Sequence, residues 1–316
     1  MEPLTNLKAI LHSKRANVYY LDKCRVMQKG GRVLFLVEDG DTKNYWNIPI
    51  ANTTCILLGT GTSITQAAVR MLVSAGVLIG FSGGGGTPLL AASEVEWLSP
   101  QSEYRPTEYI QGWMSFWFDA KKRLWAAKTF QKRRLEYLCG VWAKDADLRN
   151  EGFLIEDSFL EKALNTHVQK IDRCITVNEL LTNEARLTKK LYQIAAQTTL
   201  KKEFVRVHDS NDKTNTFLNH GNYLAYGLAA TTLWTLGIPH GFAVMHGKTR
   251  RGALVFDVAD LVKDALVLPW AFICAKQGVK EQDFRQQCLQ NFTQHKALNF
   301  MFEELKAIAL KTDWVD

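Results

Sequence analysis

The sequence predicts an α+β protein of two domains, a small β-rich N-terminal domain followed by a larger all-α C-terminal domain. Three observations predict it. Residues 16–82 are built of short apolar and β-branched runs punctuated by Gly and Pro, the pattern of strands. From Thr107 onward the apolar residues recur every three to four positions, the pattern of helices. The chain has 316 residues and is 47% hydrophobic, enough for one large or two ordinary domains. The expected division is a β domain over 1–95, a linker over 96–106 ("EWLSPQSEYRP") and an α domain over 107–316.

The elements are expected in order. In "ANVYYLDKCRVMQKGGRVLFLVEDGD" two β-rich runs meet at Lys29-Gly30-Gly31, a hairpin signal, and Gly40 closes the second run. "YWNIPIANTTCILLGTG" continues as strand, with Pro49 marking an edge or an interruption. One helix intrudes, with Ser63 as its cap, Gln66 three residues on and Gly76 past its last turn. "VLIGFS" is a buried strand. The glycines of "FSGGGGTP" lack the Lys-Ser/Thr of a phosphate cradle, so a flexible or tight connection is expected there. Helical spacing then runs through residues 110–144, 157–171, 176–199, 221–236 and 279–310.

The bulk numbers exclude several classes. The longest apolar runs, such as "ALVLPWAFICA", are too short to cross a bilayer, so no membrane partner is expected. The start carries no basic-apolar-small leader pattern. The six cysteines include no C-x-x-C, against a zinc ribbon or a disulfide framework, and a cytoplasmic location is expected. The formal charge of +7 is compatible with a polyanionic partner. Lys121, Lys122, Arg123, Lys128, Lys132, Arg133 and Arg134 fall together, interleaved with Trp117, Trp125, Phe130 and Tyr137. Two readings stand there: a solvated helix face over an aromatic core, or a phosphate-contacting surface.

The chemistry-bearing stretch is "VMHGKTRRGALVFDVADLVKD", residues 244–264. Asp257 and Asp260 stand at i, i+3, on one face if the segment is helical, and Asp264 lies a turn further on. Gly252 to Phe256 reads as extended, so Asp257 can equally cap a helix start. Glu184 sits in a strong helix among leucines, followed by Lys189 and Lys190. A carboxylate-rich set with one imidazole suits Mg²⁺ or Mn²⁺ rather than structural zinc. Lys248, Arg250, Arg251 and Lys263 beside it suit a site that also grips a phosphodiester. The bland alternative is a wet helix face, and Asp264 is expected to be such a residue.

These motifs, in their order, resemble the CRISPR-associated spacer integrases. The stretch "HGKTRRGALVFDVADLVKD" resembles that family's C-terminal signature: a histidine, a basic turn, then D-[IV]-A-D and a basic residue. The upstream Leu180-Leu181-Thr182-Asn183-Glu184-Ala185 resembles its glutamate motif, and "NDKTNTFLNHGNYLAYG" its asparagine-rich helix start. The segment "IPIANTTCILLGTGTSITQAAVRML" is most similar to the type I-F branch. Many members carry Tyr-Gly-Tyr where this chain has His220-Gly221-Asn222-Tyr223, which unsettles local contacts carried over there.

The resemblance implies Glu184, His246 and Asp260 as catalytic metal ligands, with Asp257 as a secondary metal residue that supports or supplements the site. It implies DNA contacts from Lys248, Lys263, Tyr226, Arg250, Arg251 and Lys189, and a pocket shaped by Asn215 and Asn219. The implied function is a metal-dependent endonuclease and integrase of CRISPR adaptation, using Mg²⁺ or Mn²⁺. A DNA 3′-hydroxyl would attack a phosphodiester of the repeat and insert a short fragment, the spacer precursor. A homodimer through the β domain is implied, as is a small ferredoxin-like adaptation partner, fused in the type I-F branch to a helicase-nuclease. The rivals are a metal-dependent nuclease of branched or damaged DNA that does not integrate, and a non-catalytic DNA-binding scaffold.

Overall fold

The structure, a computed structural model, describes residues 15, 17–39, 42–83, 96–98, 107–200, 203–207, 212–247 and 252–313. The chain divides into two compact units, Met1–Tyr104 and Arg105–Asp316.

The first unit holds two four-stranded sheets, one α-helix and a short 3₁₀ turn, Ile50–Asn52, among the described residues. Its strands are β1 (Asn17–Leu21), β2 (Arg25–Lys29), β3 (Arg32–Asp39), β4 (Thr42–Ile48), β5 (Thr53–Leu58), β6 (Ser63–Ile64), β7 (Leu78–Phe81) and β8 (Glu96–Leu98). One sheet runs β1-β5-β7-β8, the other β4-β3-β2-β6. β5 is buried at every residue, as an unbroken apolar run in the middle of a sheet should be. The β2–β3 turn falls at Gly30 and Gly31, both in the left-handed region (φ 58° and 72°), which a two-residue hairpin loop requires. Leu21, Val26, Val33, Ile48, Ile56, Leu72 and Ile79 form the core.

Two expectations for this unit are corrected. The helix, α1 (Gln66–Ser74), is capped by Thr65, whose side chain accepts from the Ala68 N–H. Ser63 instead lies in β6, hydrogen-bonded along β2, and strand pairing outcompetes its capping propensity. The start of the expected linker is also structured, because Glu96–Leu98 adds β8 antiparallel to β7. Residues 40 and 84–88, where a strand end and a glycine connection were expected, lie outside the described residues.

The second unit is helical: α2 (Glu108–Trp117), α3 (Ala120–Lys144), α4 (Ala146–Asn150), α5 (Ser158–Arg173), α6 (Val177–Thr199), α7 (Lys213–Leu236), α8 (Ala253–Val262), α9 (Leu268–Gln277), α10 (Glu281–Gln294) and α11 (Ala297–Ala309). A π-helical turn, Lys263–Val267, joins α8 to α9. α7 is apolar around most of its circumference and packs against α8, α9, α10 and α11, which makes it the central helix. Two helices expected to be continuous are broken. Asp119 caps α3 by accepting from Lys121 N and Lys122 N, ending α2 before it. Lys296 takes a left-handed conformation (φ 53°) between α10 and α11.

None of the described helices is long and apolar enough to cross a membrane. All six cysteines are free thiols.

α2 and α11 approach closely only because residue 112 is glycine. A Cβ there would fall far inside van der Waals distance of the Ala309 carbonyl oxygen, a backbone atom that cannot step aside. Gly112→Ala is therefore expected to destabilise the protein by about 1–3 kcal/mol through forced separation of the two helices. Urea unfolding checks this; an unchanged midpoint would show that the helices separate freely.

Candidate active site

The loop before α8 carries His246, and neighbouring helices pin its backbone. The indole N–H of Trp113 donates to the Phe242 carbonyl (3.0 Å) and that of Trp117 to the Ala243 carbonyl (2.7 Å). From the other side Asp257 receives three successive backbone N–H groups. Val244 and Met245 donate to its Oδ2 at 2.7 and 3.0 Å, and His246 donates to its Oδ1 at 3.0 Å. The same Oδ1 stands 2.6 Å from His246 Nδ1. A carboxylate that already accepts three N–H groups accepts a fourth, so the Nδ1 proton is directed at Asp257. Nε2 is thereby left facing Asp260 Oδ2, 4.0 Å away.

Asp257 is thus neither the cap of α8 nor on a wet face. The helix begins at Ala253 after a left-handed Gly252 (φ 71°), so 253–256 is helical where an extended segment was expected. The Asp257 side chain is fully buried, and its two oxygens are occupied by the loop and the imidazole. That makes it a positioning group for His246 rather than an open ligand.

Asp260, one turn on, pairs with Lys263. The π-helical turn begins at Lys263, and the same ammonium lies 5.4 Å from the Tyr226 ring centroid. Tyr226 packs edge-to-face on Phe256 at 4.8 Å, and Phe256 neighbours the His246 ring at 6.3 Å. So His246, Asp257, Asp260, Lys263 and Tyr226 are brought together as expected from sequence.

Electrostatics follow from this packing. Burial alone would push the His246 pKa down, but the Asp257 hydrogen bond and the charges of Asp260 and Asp257 outweigh it, and the net shift is upward. Burial would raise Asp260, but Lys263, Arg134 and His246 hold it below the usual carboxylate range. Burial likewise opposes the Lys263 charge, and Asp260 overrides it, raising that ammonium.

Glu184 arrives from α6 by a different connection. Arg134 of α3 is buried at 2% exposure, and its Nη1 donates to Glu184 Oε1 at 2.8 Å. Its Nε donates to Asp264 Oδ2 at 2.7 Å and its Nη2 to Thr188 Oγ1 at 2.9 Å. Thr188 in turn donates to Glu184 Oε1 at 2.9 Å. Asp260's charge also acts on Arg134. Asp264 is therefore a buried ion-pair partner and not the solvated residue expected, since the π-helical turn carries it against α3. Among the described residues no three His, Cys, Asp or Glu side chains stand close enough together to hold a metal ion as arranged. Glu184 and Asp260 are instead drawn to Arg134 and Lys263. The donor chemistry, two carboxylates and one imidazole nitrogen, still fits a hard divalent cation.

Other expected residues fall elsewhere. Asn215 and Asn219, on the first turns of α7, accept from Arg206 at 2.9 and 2.5 Å, and Asn215 also accepts from Val207 N at 2.9 Å. They hold the 203–207 segment, with the Arg206 charge acting on Tyr192 and Tyr223. Lys189 is exposed on α6, in a cleft with Lys170, Arg186 and Lys190. Lys248, Arg250 and Arg251 lie outside the described residues. The basic 121–134 cluster is partly neutralised within the fold: Lys132 pairs with Asp172, Arg133 with Glu136 and Glu304, and Arg134 with the acidic pair above.

Sequence reasoning placed Arg134 only in the basic run, without its buried role, and missed Thr188 and His167. A signal existed for Arg134, which shares the buried stripe of α3 with Phe130 and Leu138. His167 of α5 is buried at 2% exposure, and neither ring nitrogen has a hydrogen-bond partner.

With this geometry in hand, comparison with known proteins gives a family. Residues 19–306 match the family described as CRISPR associated protein Cas1, and the chain belongs to it. It is 57% identical to the CRISPR-associated endonuclease Cas1 of Pseudomonas aeruginosa, over 98% of this chain and 97% of that one. The fold is shared with TtCas1 in a DNA complex (TM-score 0.65, 18% identity, 94% of this chain and 92% of that one). It is shared also with a casposase bound to an integration product (TM-score 0.68, 14% identity, 95% and 92%).

His167 gives a pH dependence. Burial, then the Arg134 charge, pushes its pKa from 6.5 down to about 4. The unfolded chain binds the proton over that window and the folded chain does not, so stability is lost as pH falls from 6.5 to about 4. The loss attached to this group is about 3 kcal/mol. His167→Leu is expected to flatten the fall in stability between neutral pH and pH 4 relative to wild type. Denaturant unfolding across that range checks it; parallel curves would mean the imidazole is not held neutral.

Proposed function

We propose that this chain is a divalent-metal-dependent DNA endonuclease and integrase of CRISPR adaptation. The observation that carries the reading is the Asp257–His246 contact, with His246 Nδ1 at 2.6 Å from a buried carboxylate and Nε2 aimed at Asp260. An imidazole oriented by a carboxylate on one nitrogen, with the other free beside a second carboxylate, is how metal-ligating histidines are held. Relatives named as endonucleases, and fold neighbours bound to DNA and to an integration product, support the substrate class.

Glu184, His246 Nε2 and Asp260 would hold Mg²⁺ or Mn²⁺. That ion would polarise a DNA phosphodiester and stabilise the charge growing on its oxygens. The chain's own residues do the rest. Asp257 fixes the imidazole tautomer and the loop. Arg134 and Lys263 neutralise the carboxylates while they wait and keep the acidic centre from repelling a polyanion. Tyr226 and Phe256 wall one side of the site. A DNA 3′-hydroxyl attacking the phosphorus forms the new phosphodiester as the bond to the target strand's own 3′-oxygen breaks and that oxygen leaves as a 3′-hydroxyl. Water attacking instead gives a nick. Lys248, Arg250, Arg251, Lys263 and Lys189 are proposed at the DNA. A nuclease that does not integrate would share every one of these residues, so joining of a free 3′ end to repeat-bearing DNA separates the two. The scaffold reading needs solvated carboxylates, whereas Asp257, Asp260 and Asp264 are all buried.

The proposed setting is cytoplasmic and of type I-F, with a ferredoxin-like partner fused to a helicase-nuclease. The proposed homodimer has a surface available on β4, an edge strand exposed over its first six residues with Tyr45 at 47% and Trp46 at 57% exposure.

Glu184→Gln and Asp260→Asn are expected to lower Mn²⁺-dependent nicking and joining by at least about 10–100-fold, the loss that follows even from disturbing a metal's outer shell. DNA affinity should hold. Wild-type joining rates by either variant would sink the assignment. Separately, Trp46→Glu is expected to shift sedimentation at micromolar concentration from dimer to monomer. A monomeric wild type would overturn the homodimer, and a dimeric variant would place the interface elsewhere.

A further inference from the structure

A basic surface lies between α5 and α6. Two clefts, about 440 and 270 Å³, share Lys170, Asn183 and Arg186. Arg173 lines the larger, and Lys189 and Lys190 the smaller. All five cationic side chains are exposed. None has an acidic partner among the described residues. The one carboxylate on the lining, Glu179, is turned to the helix start and accepts the Ile175 N–H at 2.8 Å. By contrast the cations of the 121–134 segment that face α5 are engaged: Lys132 by Asp172 and Lys128 by the Asp172 carbonyl.

The groove has a polar floor as well. His167 and Asn183 line the smaller cleft, and the His167 carbonyl accepts from Asn183 Nδ2 at 3.3 Å.

We infer that the α5–α6 groove is a second nucleic-acid site, which takes the phosphate backbone of a DNA duplex outside the catalytic centre. The partner's chemistry follows from the lining. No Phe, Tyr, Trp or Met side chain lines it, whereas a protein partner would need a large apolar anchor and a single strand would need stacking platforms. Exposed cations at one-turn spacing along α6, Arg186 and Lys190, suit a chain of phosphates. The groove lies on α6 itself: Asn183, Arg186 and Lys190 face it while Glu184 and Thr188 turn to Arg134. Backbone held here would therefore pass alongside the catalytic glutamate. The inference takes its choice of DNA from the proposed function, but binding at the groove does not depend on catalysis.

The test is binding of a labelled blunt-ended DNA duplex of random sequence to the full-length protein across a salt series. The neutral triple variant Lys170→Gln/Arg186→Gln/Lys190→Gln should bind at least about tenfold more weakly at low salt. Its log–log salt slope should be shallower by about 2–3, at roughly 0.9 for each phosphate no longer neutralised. Lys128→Gln/Lys132→Gln is the control and should match wild type. An unchanged slope in the triple variant, with or without a change in affinity, overturns the inference, since the groove then faces an acidic protein surface or only solvent. Thermal melts of all variants confirm folding, and a milder Arg186→Gln variant carries the test if the triple variant melts early. Glu184→Gln separates the two claims. Should it nick DNA like wild type while the triple variant loses slope, the catalytic assignment fails and the groove stands.

Discussion

The buried guanidinium of Arg134 is the constraint around which the helical unit is arranged. A charge at 2% exposure is tolerable only if every donor is met, and here α6 supplies Glu184 and Thr188 while the π-helical turn supplies Asp264. Removing one partner of such a set typically costs about 3–5 kcal/mol, because it strands the remaining charge. Replacing the whole set by apolar residues would cost far less. Its presence is therefore better explained by what it positions than by stability. It fixes three elements against one another, and one of the carboxylates it fixes is Glu184.

The His246 side of the site is built on the opposite logic. There the charge is anionic and the donors are backbone. Asp257 gathers three consecutive N–H groups and the imidazole, which turns a loop into a rigid mount. The two halves are joined through Asp260, which faces His246 Nε2 and whose charge reaches Arg134. The π-helical turn matters to both. By widening one turn it lets Lys263 pair back to Asp260 while Asp264 reaches α3. Adjacent residues thus serve different halves of one centre.

Much of this could be read in the chain before folding, and the boundary is physical. The order of strands then helices, the Gly30-Gly31 hairpin and the acidic-histidine stretch were legible because each is local: a period, a turn conformation, a residue type. The failures were competitions between local preferences and tertiary partners. Ser63 could cap, but strand pairing took it and Thr65 caps instead. Residues 110–144 keep helical spacing throughout, yet Asp119 ends one helix and starts the next. Asp264 looked solvated because spacing identifies a face and not what covers it. The Arg134 contacts span 50 and 130 residues, and no periodicity encodes a partner at that distance.

Ion pairing in the folded chain changes what its basic composition means. A net charge of +7 says that cations exceed anions, not which cations are free. The densest run in the sequence, 121–134, loses much of its field to Asp172, Glu136, Glu304, Glu184 and Asp264. The sparser set on α5 and α6 keeps its own, because its one nearby carboxylate is occupied by backbone. A centre that gathers Glu184, Asp257, Asp260 and Asp264 would by itself repel a phosphodiester. Arg134 and Lys263 offset part of that charge from within, and uncompensated cations on the adjoining face of α6 offset more from outside. An acidic site that must receive a polyanion needs both, and the fold places them on either side of the same helix.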